Sequence, residues 1–137
     1  MMTLSKEVVS IQREPDVVFF RNKAKEYAVK IGMSLVGQTK LLTAASELVR
    51  NMLRYGNGGD AILEIVVHNN VKGVRLTFAD KGPGIKDIKQ ALQDGFSTGR
   101  SLGLGLPGAK RLSNEFEIKS EVGKGTTVSI IRWKNGV

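Results

Sequence analysis

The sequence contains no cysteine, which excludes a disulfide framework, a zinc–thiolate site and a thiol nucleophile. It also lacks any apolar run approaching the roughly 18 residues a membrane-spanning helix needs, so no membrane partner is expected. The opening residues, MMTLSKEVVSIQREPD, have no apolar stretch of the signal-peptide kind, and a soluble cytoplasmic protein is the expectation. Aromatic residues make up only 6% of the chain, which leaves few rings for stacking on bases. Acidic residues are outnumbered, 13 Asp and Glu against 21 Lys and Arg, for a net charge of +8. The basic residues are scattered from Lys6 to Lys134 without a dense cluster, so nucleic acid is not the expected partner. An anionic nucleotide together with an acidic protein partner accounts for the charge equally well.

What is present reads as a globular protein. With 137 residues, 41% of them hydrophobic, the chain is long enough to bury a core and is expected to form a single domain over residues 1–137. Sixteen glycines without low complexity imply local roles for individual glycines.

The pattern along the chain alternates between strand and helix periods. Lys6 to Gln12 reads as a strand. Pro15 and Asp16 open a helix that Asp16 is expected to cap, with Val17, Phe20, Ala24, Tyr27, Ala28 and Ile31 at helical spacing and a stop at Gly32. Ser34 is placed to cap a second helix, with Leu41, Leu42, Ala45, Leu48, Val49, Met52 and Leu53 on its apolar face and Gly56 at its end. Ala61–His68 and Val74–Ala79 form a hairpin through Asn69-Asn70 and Gly73. A short helix over Ile85–Gln93, a loop over Gly95–Gly103 and a helix over Leu104–Asn114 follow, and a last hairpin joins Phe116–Ser120 to Thr126–Trp133. Hairpins separated by helices predict an α+β two-layer sandwich, with helices on one face of a mixed, mainly antiparallel sheet.

Three segments carry polar groups where chemistry could occur. Glu47 and Asn51 are four residues apart and project from one helical face, so a carboxylate and an amide oxygen come together beside an apolar stripe. Taken alone, an exposed glutamate and a helix-surface asparagine would explain the pair. Asp80-Lys81-Gly82-Pro83-Gly84 ends an apolar strand with a carboxylate, an acceptor suited to a ligand amine, although an ordinary turn would also carry these residues. Gly95 to Gly108 is a glycine-dense loop running into a helix, where backbone N–H groups can hold phosphate oxygens; a flexible surface loop is the alternative. The segment lacks the P-loop lysine pattern, and no strand precedes Gly103-x-Gly105-x-x-Gly108 as a dinucleotide-binding fold requires. His68, the only histidine, precedes a turn and lacks the helical setting of a phospho-accepting histidine, and Trp133 reads as core or edge packing.

In order, E-x-x-x-N on a helix, D-x-G-x-G after a strand, a loop ending G-x-G and Gly123-Lys124-Gly125-Thr126 before the last strand resemble the nucleotide-binding boxes of the GHKL, or Bergerat-fold, ATPase superfamily. The resemblance covers nearly the whole chain. Ser46-Glu47-Leu48-x-x-Asn51, Asp94-Gly95-Phe96-Ser97-Thr98 and Leu102-Gly103-Leu104-Gly105-Leu106-Pro107-Gly108 look most like the RsbT-type serine/threonine kinases of bacterial partner-switching pathways, which are related to anti-sigma factors. The resemblance implies ATP and Mg2+ as cofactors, Glu47 as general base and Asn51 as Mg2+ ligand. It further implies Asp80 as acceptor for the adenine amine with Thr126 in support, and Gly82 and Gly84 shaping the base pocket. Gly103, Leu104 and Gly105 would lie along the phosphates, under a lid of residues 95–105. Arg100, by charge and position, is expected near the γ-phosphate. The implied partners are STAS-domain substrate proteins and a PP2C-type phosphatase that the kinase activates by binding. The alternative is an anti-sigma factor that sequesters a sigma factor.

Overall fold

Over residues 1–93 and 105–136, which the structure describes, alternating β-branched residues and two long helical segments resolve, in a computed structural model, into five strands and four helices. The order is β1 (Met2–Ile11), α1 (Glu14–Lys30), α2 (Leu35–Tyr55), β2 (Gly59–His68), β3 (Val71–Asp80), α3 (Ile88–Ala91), α4 (Leu106–Leu112), β4 (Glu115–Glu121) and β5 (Gly125–Trp133). The strands form one sheet in the order β1-β2-β3-β5-β4.

The α+β two-layer expectation holds, but all four strand pairings are antiparallel, so the sheet over the described residues is not mixed. The crossover from β1 to β2 explains this. It contains two helices, α1 down and α2 back, and a chain that reverses three times arrives antiparallel to its start. A parallel neighbour would need a crossover with a single helix.

Register decides which side chains meet the helices. Leu63, Leu76 and Ile130 stand side by side across β2, β3 and β5, and Ala61, Phe78 and Val128 form the next row. All six are buried. The helices lay their apolar stripes on this face, where Phe20 of α1 meets Phe78 edge-on at 5.4 Å between ring centroids.

Local signals act mostly as the sequence implies. The Ser34 hydroxyl accepts from the Gly37 N–H at 3.1 Å as the α2 cap, and Gly56 ends that helix. Asn69 and Asn70 carry φ of 51° and 64°, the left-handed pair that a two-residue hairpin turn requires. Gly73 lies within β3 instead of the turn, paired with Trp133, whose ring occupies the space a side chain would need. The cap of α1 also departs from expectation. Asp16 does not cap α1, which begins at Glu14 after Arg13. Pro15 lacks an N–H, but the first helical turn leaves its N–H groups unpaired anyway, so the helix can start before the proline. Asp16 instead reaches back to accept from the N–H groups of Gln12 at 2.8 Å and Arg13 at 3.0 Å, and these bonds hold its carboxyl below the usual range.

Arg132 is the unusual core residue. It pairs with Val74 on the helix-facing side of the sheet and is 2% exposed. Its guanidinium donates to the Leu112 carbonyl at 2.6 Å and the Gly136 carbonyl at 3.2 Å, and so ties the last turn of α4 to the sheet. Burial pushes its pKa down. Arg132→Met keeps much of the apolar stem but leaves both carbonyls without their donor. The expected loss is about 1–2 kcal/mol of stability, read as a lowered melting temperature; an unchanged melt would mean that water replaces the guanidinium.

Candidate functional site

The C-terminal half of α2, the end of β3, the start of β5 and the start of α4 surround a cleft. Leu48 and Met52 of α2, Phe78 of β3 and Val128 of β5 make its apolar lining, closed by Ile85 and Leu106. Three polar residues, Asn51, Asp80 and Thr126, enter this surface. A mostly apolar slot with a few directed polar groups is the usual form of a small-molecule site.

Asp80 is fixed by its own backbone surroundings. Its Oδ1 accepts from the Gly82 N–H at 2.9 Å and the Thr126 N–H at 3.1 Å, which binds the turn after β3 to the start of β5. Burial pushes the carboxyl above the usual aspartate range, and the two N–H donors pull against that rise. Oδ2 lies against Gly56, where any side chain would strike the carboxylate. Gly82 in turn rests on the Gly56 backbone. Gly84 adopts φ of 78° and abuts the Glu121 carbonyl, so a side chain there would be strained and would also collide with backbone.

Glu47 and Asn51 stand one turn apart on α2, as their spacing predicts. Glu47 is exposed, while Asn51 is partly buried and its Nδ2 is enclosed without a hydrogen-bond partner among the described residues. Gly105, at the N-terminus of α4, sits on both. A Cβ there would lie 2.9 Å from the Glu47 Cβ and Oε2 and 3.1 Å from the Asn51 Nδ2. The fold therefore brings together Glu47, Asn51 and Gly105, and sets Asp80, Gly82, Gly84 and Thr126 around the same cleft. Arg100, Gly103 and Leu104, with the lid expected over residues 95–105 apart from Gly105, lie outside the described residues.

Two further residues matter that the motifs do not single out. Gly56 makes room for Asp80. Ser120 on β4 accepts from the Ile85 N–H at 2.7 Å and lies 2.7 Å from the Thr126 hydroxyl. Strand alternation from Phe116 and Ile118 places Ser120 on the inner face, but its contact with Ile85, 35 residues earlier in the chain, has no sequence signal.

The donor set fits an adenine nucleotide. A flat heteroaromatic base suits the apolar slot, a carboxylate suits its exocyclic amine, and the enclosed Asn51 Nδ2 has no hydrogen-bond partner among the described residues. Fold and cleft together define a nucleotide-binding domain, with a carboxylate and an amide one turn apart on the helix that borders the cleft. The chain belongs to the histidine kinase-, DNA gyrase B- and HSP90-like ATPase family, whose model matches residues 37–136, and it is thus an ATP-using domain. It is similar to the serine/threonine-protein kinase RsbT of Bacillus subtilis (strain 168), with 42% identity over 91% of this chain and 94% of that protein. It is also similar to the anti-sigma F factor of Geobacillus kaustophilus (strain HTA426), with 30% identity over 85% of this chain and 83% of the relative. Anti-sigma F factor of Thermoanaerobacter sp. (strain X514) shares 26% identity over 93% of this chain and 92% of that protein. Among the described residues no helix is long and apolar enough to cross a membrane.

Proposed function

We propose that this protein is an ATP-dependent serine/threonine-protein kinase that phosphorylates a partner protein. The observation that carries the reading is the placement of Glu47: an exposed carboxylate one helical turn from Asn51 and touching Gly105, where a hydroxyl from a second protein can reach it. Glu47 takes the proton of the attacking hydroxyl. Asn51 would hold Mg2+ through its amide oxygen, and the ion, when bound, would supply charge neutralisation for the transferring group. Asp80 receives the adenine amine, Thr126 supports it, Gly82 and Gly84 shape the base pocket, and Gly105 lies at the phosphates. Positioning and charge neutralisation are what phosphoryl transfer chiefly requires.

The likeness to RsbT supports a place in a partner-switching pathway. On this reading the substrate is a STAS-domain protein, and the kinase, once released by its phosphorylated product, activates a PP2C-type phosphatase by binding. A phosphoserine brings about −1.5 to −2 charges next to Glu47 and the nucleotide phosphates, and that repulsion drives release. The anti-sigma F relatives support a second reading, a module that mainly sequesters a sigma factor. Incubation with labelled ATP and Mg2+, a STAS-domain protein and a sigma factor separates the two. Label on a serine or threonine of the STAS protein is the expected result, while stable capture of the sigma factor without labelled STAS protein would move the chain to the second class.

A further inference from the structure

The end of the molecule away from the cleft carries an arrangement of charge that the fold alone does not explain. The register of β3 and β5 pairs Gly73 with Trp133. One step further it sets Lys72 opposite Lys134, whose N–H donates to the Lys72 carbonyl at 2.8 Å. Like charges directly opposite one another on a sheet are destabilising. Lys30, the last residue of α1, forms a pocket with these two lysines and with the amides of Asn70 and Asn135. No acidic residue lines this pocket, and among the described residues none of the three ammonium groups has an ion-pair partner. The C-terminal dipole of α1 accounts for Lys30. It does not account for the opposed pair.

The turn from α1 to α2 supplies a second observation at the same corner. The Lys134 ammonium stands over Gly32, 3.3 Å from where a Cβ would lie. Just beyond, α2 opens with Leu35 and Val36, which at 76% and 66% are the most exposed large hydrophobics among the described residues. Val29, on the other side of the turn, is exposed as well. Ser34 already caps α2, and the dipole of that helix favours acidic residues in its first turn, so helix formation does not call for Leu35 and Val36. Exposed aliphatic side chains beside unpaired cations complement an acidic segment that also carries apolar residues. A second copy of this chain, itself at +8, would be repelled. Asn70 and Asn135 can both donate and accept, which matches a peptide backbone, whereas a lipid phosphate only accepts.

We infer that the corner formed by Lys30, Lys72, Lys134 and the start of α2 is a docking surface for an acidic segment of a partner protein. Along α2, Leu35 lies about 24 Å from Asn51 at about 1.5 Å per residue. A segment seated at this corner leaves the cleft open, and the inference stands whether or not the cleft takes a nucleotide.

The test follows the anisotropy of a short fluorescein-labelled peptide of glutamates interspersed with leucines. Each exposed ion pair corresponds to a factor of about two to five in Kd, so the triple variant Lys30→Gln, Lys72→Gln, Lys134→Gln is expected to bind about tenfold more weakly or worse. A control of equal net charge, Lys25→Gln, Lys86→Gln, Lys119→Gln, should change Kd by less than about twofold. Leu35→Ser with Val36→Ser should weaken this peptide about threefold or more, and an oligo-glutamate peptide by less than about twofold. Because the like-charge pair is relieved, the first triple variant should melt no lower than the wild type. Equal weakening in both triple variants would reduce the effect to net charge and overturn the inference. So would no peptide binding by the wild type, displacement of the peptide by Mg-ADP, or a lowered melt in the first variant. Binding to phosphatidylserine vesicles without binding to the peptide would make the corner a membrane surface and overturn it too.

Discussion

Glu47→Gln is expected to lower phosphorylation of a protein substrate by about 10²–10⁴-fold while leaving nucleotide affinity close to that of the wild type. The substitution preserves size and shape but removes the only basic function, so the attacking hydroxyl keeps its proton through the transition state. Affinity should survive because Glu47 is exposed and absent from the apolar lining of the cleft. Its contact with Gly105 is a matter of volume, and glutamine fills the same volume. Single-turnover phosphorylation together with calorimetric ADP binding separates the two effects. Full kinase activity in the variant would strip Glu47 of the role of base, and a parallel collapse of ADP binding would make it a structural residue instead.

Asp80→Asn should act in the opposite sense, on affinity before chemistry. The amide can still accept the Gly82 and Thr126 N–H bonds through its oxygen, so the turn should keep its shape. Its nitrogen, however, donates where the carboxylate accepts, and a buried donor facing the adenine amine costs about 1–3 kcal/mol, or roughly five- to 150-fold in Kd. Stability should not follow affinity. Burial raises the Asp80 pKa in the folded protein above its unfolded value. A raised carboxyl pKa means that the native state favours the protonated form; that contribution is present at low pH and lost as pH rises through the folded pKa. At neutral pH the ionised carboxylate is therefore a burden on the ligand-free fold, and the variant should melt at the same temperature or higher while binding ADP worse. The wild type should in turn lose ADP affinity on acidification as Asp80 takes up its proton, and the variant should lack that dependence. Equal ADP affinity in both proteins at neutral pH would place Asp80 outside the base pocket.

These two residues differ in how far sequence alone accounts for them. Glu47 and Asn51 share a face because the helix period requires it, and that relation is complete within five residues of chain. Asp80 at the end of an apolar strand is equally local. The capping of α2 by Ser34, the stop at Gly56 and the Asn69-Asn70 turn follow from the same short-range rules. The start of α1 shows their limit. Aspartate is a good cap, yet here Asp16 serves one turn later because Pro15 permits an earlier start.

By itself, then, the sequence determined the elements, their order, the α+β class and the polar groups that share a helix face or a turn, because helix and strand periods, caps and turns are settled among neighbours. Tertiary structure alone decided that every strand pairs antiparallel, that Arg132 lies buried in the core, that Gly105 rests on Glu47 and Asn51, that Gly56 clears space for Asp80, and that Ser120 stands between Ile85 and Thr126. Each of those relations joins residues brought together only when the helix layer packs on the sheet. Their energies come from burial, which gives a hydrogen bond or a missing methyl group its consequence and which no local stretch of chain contains.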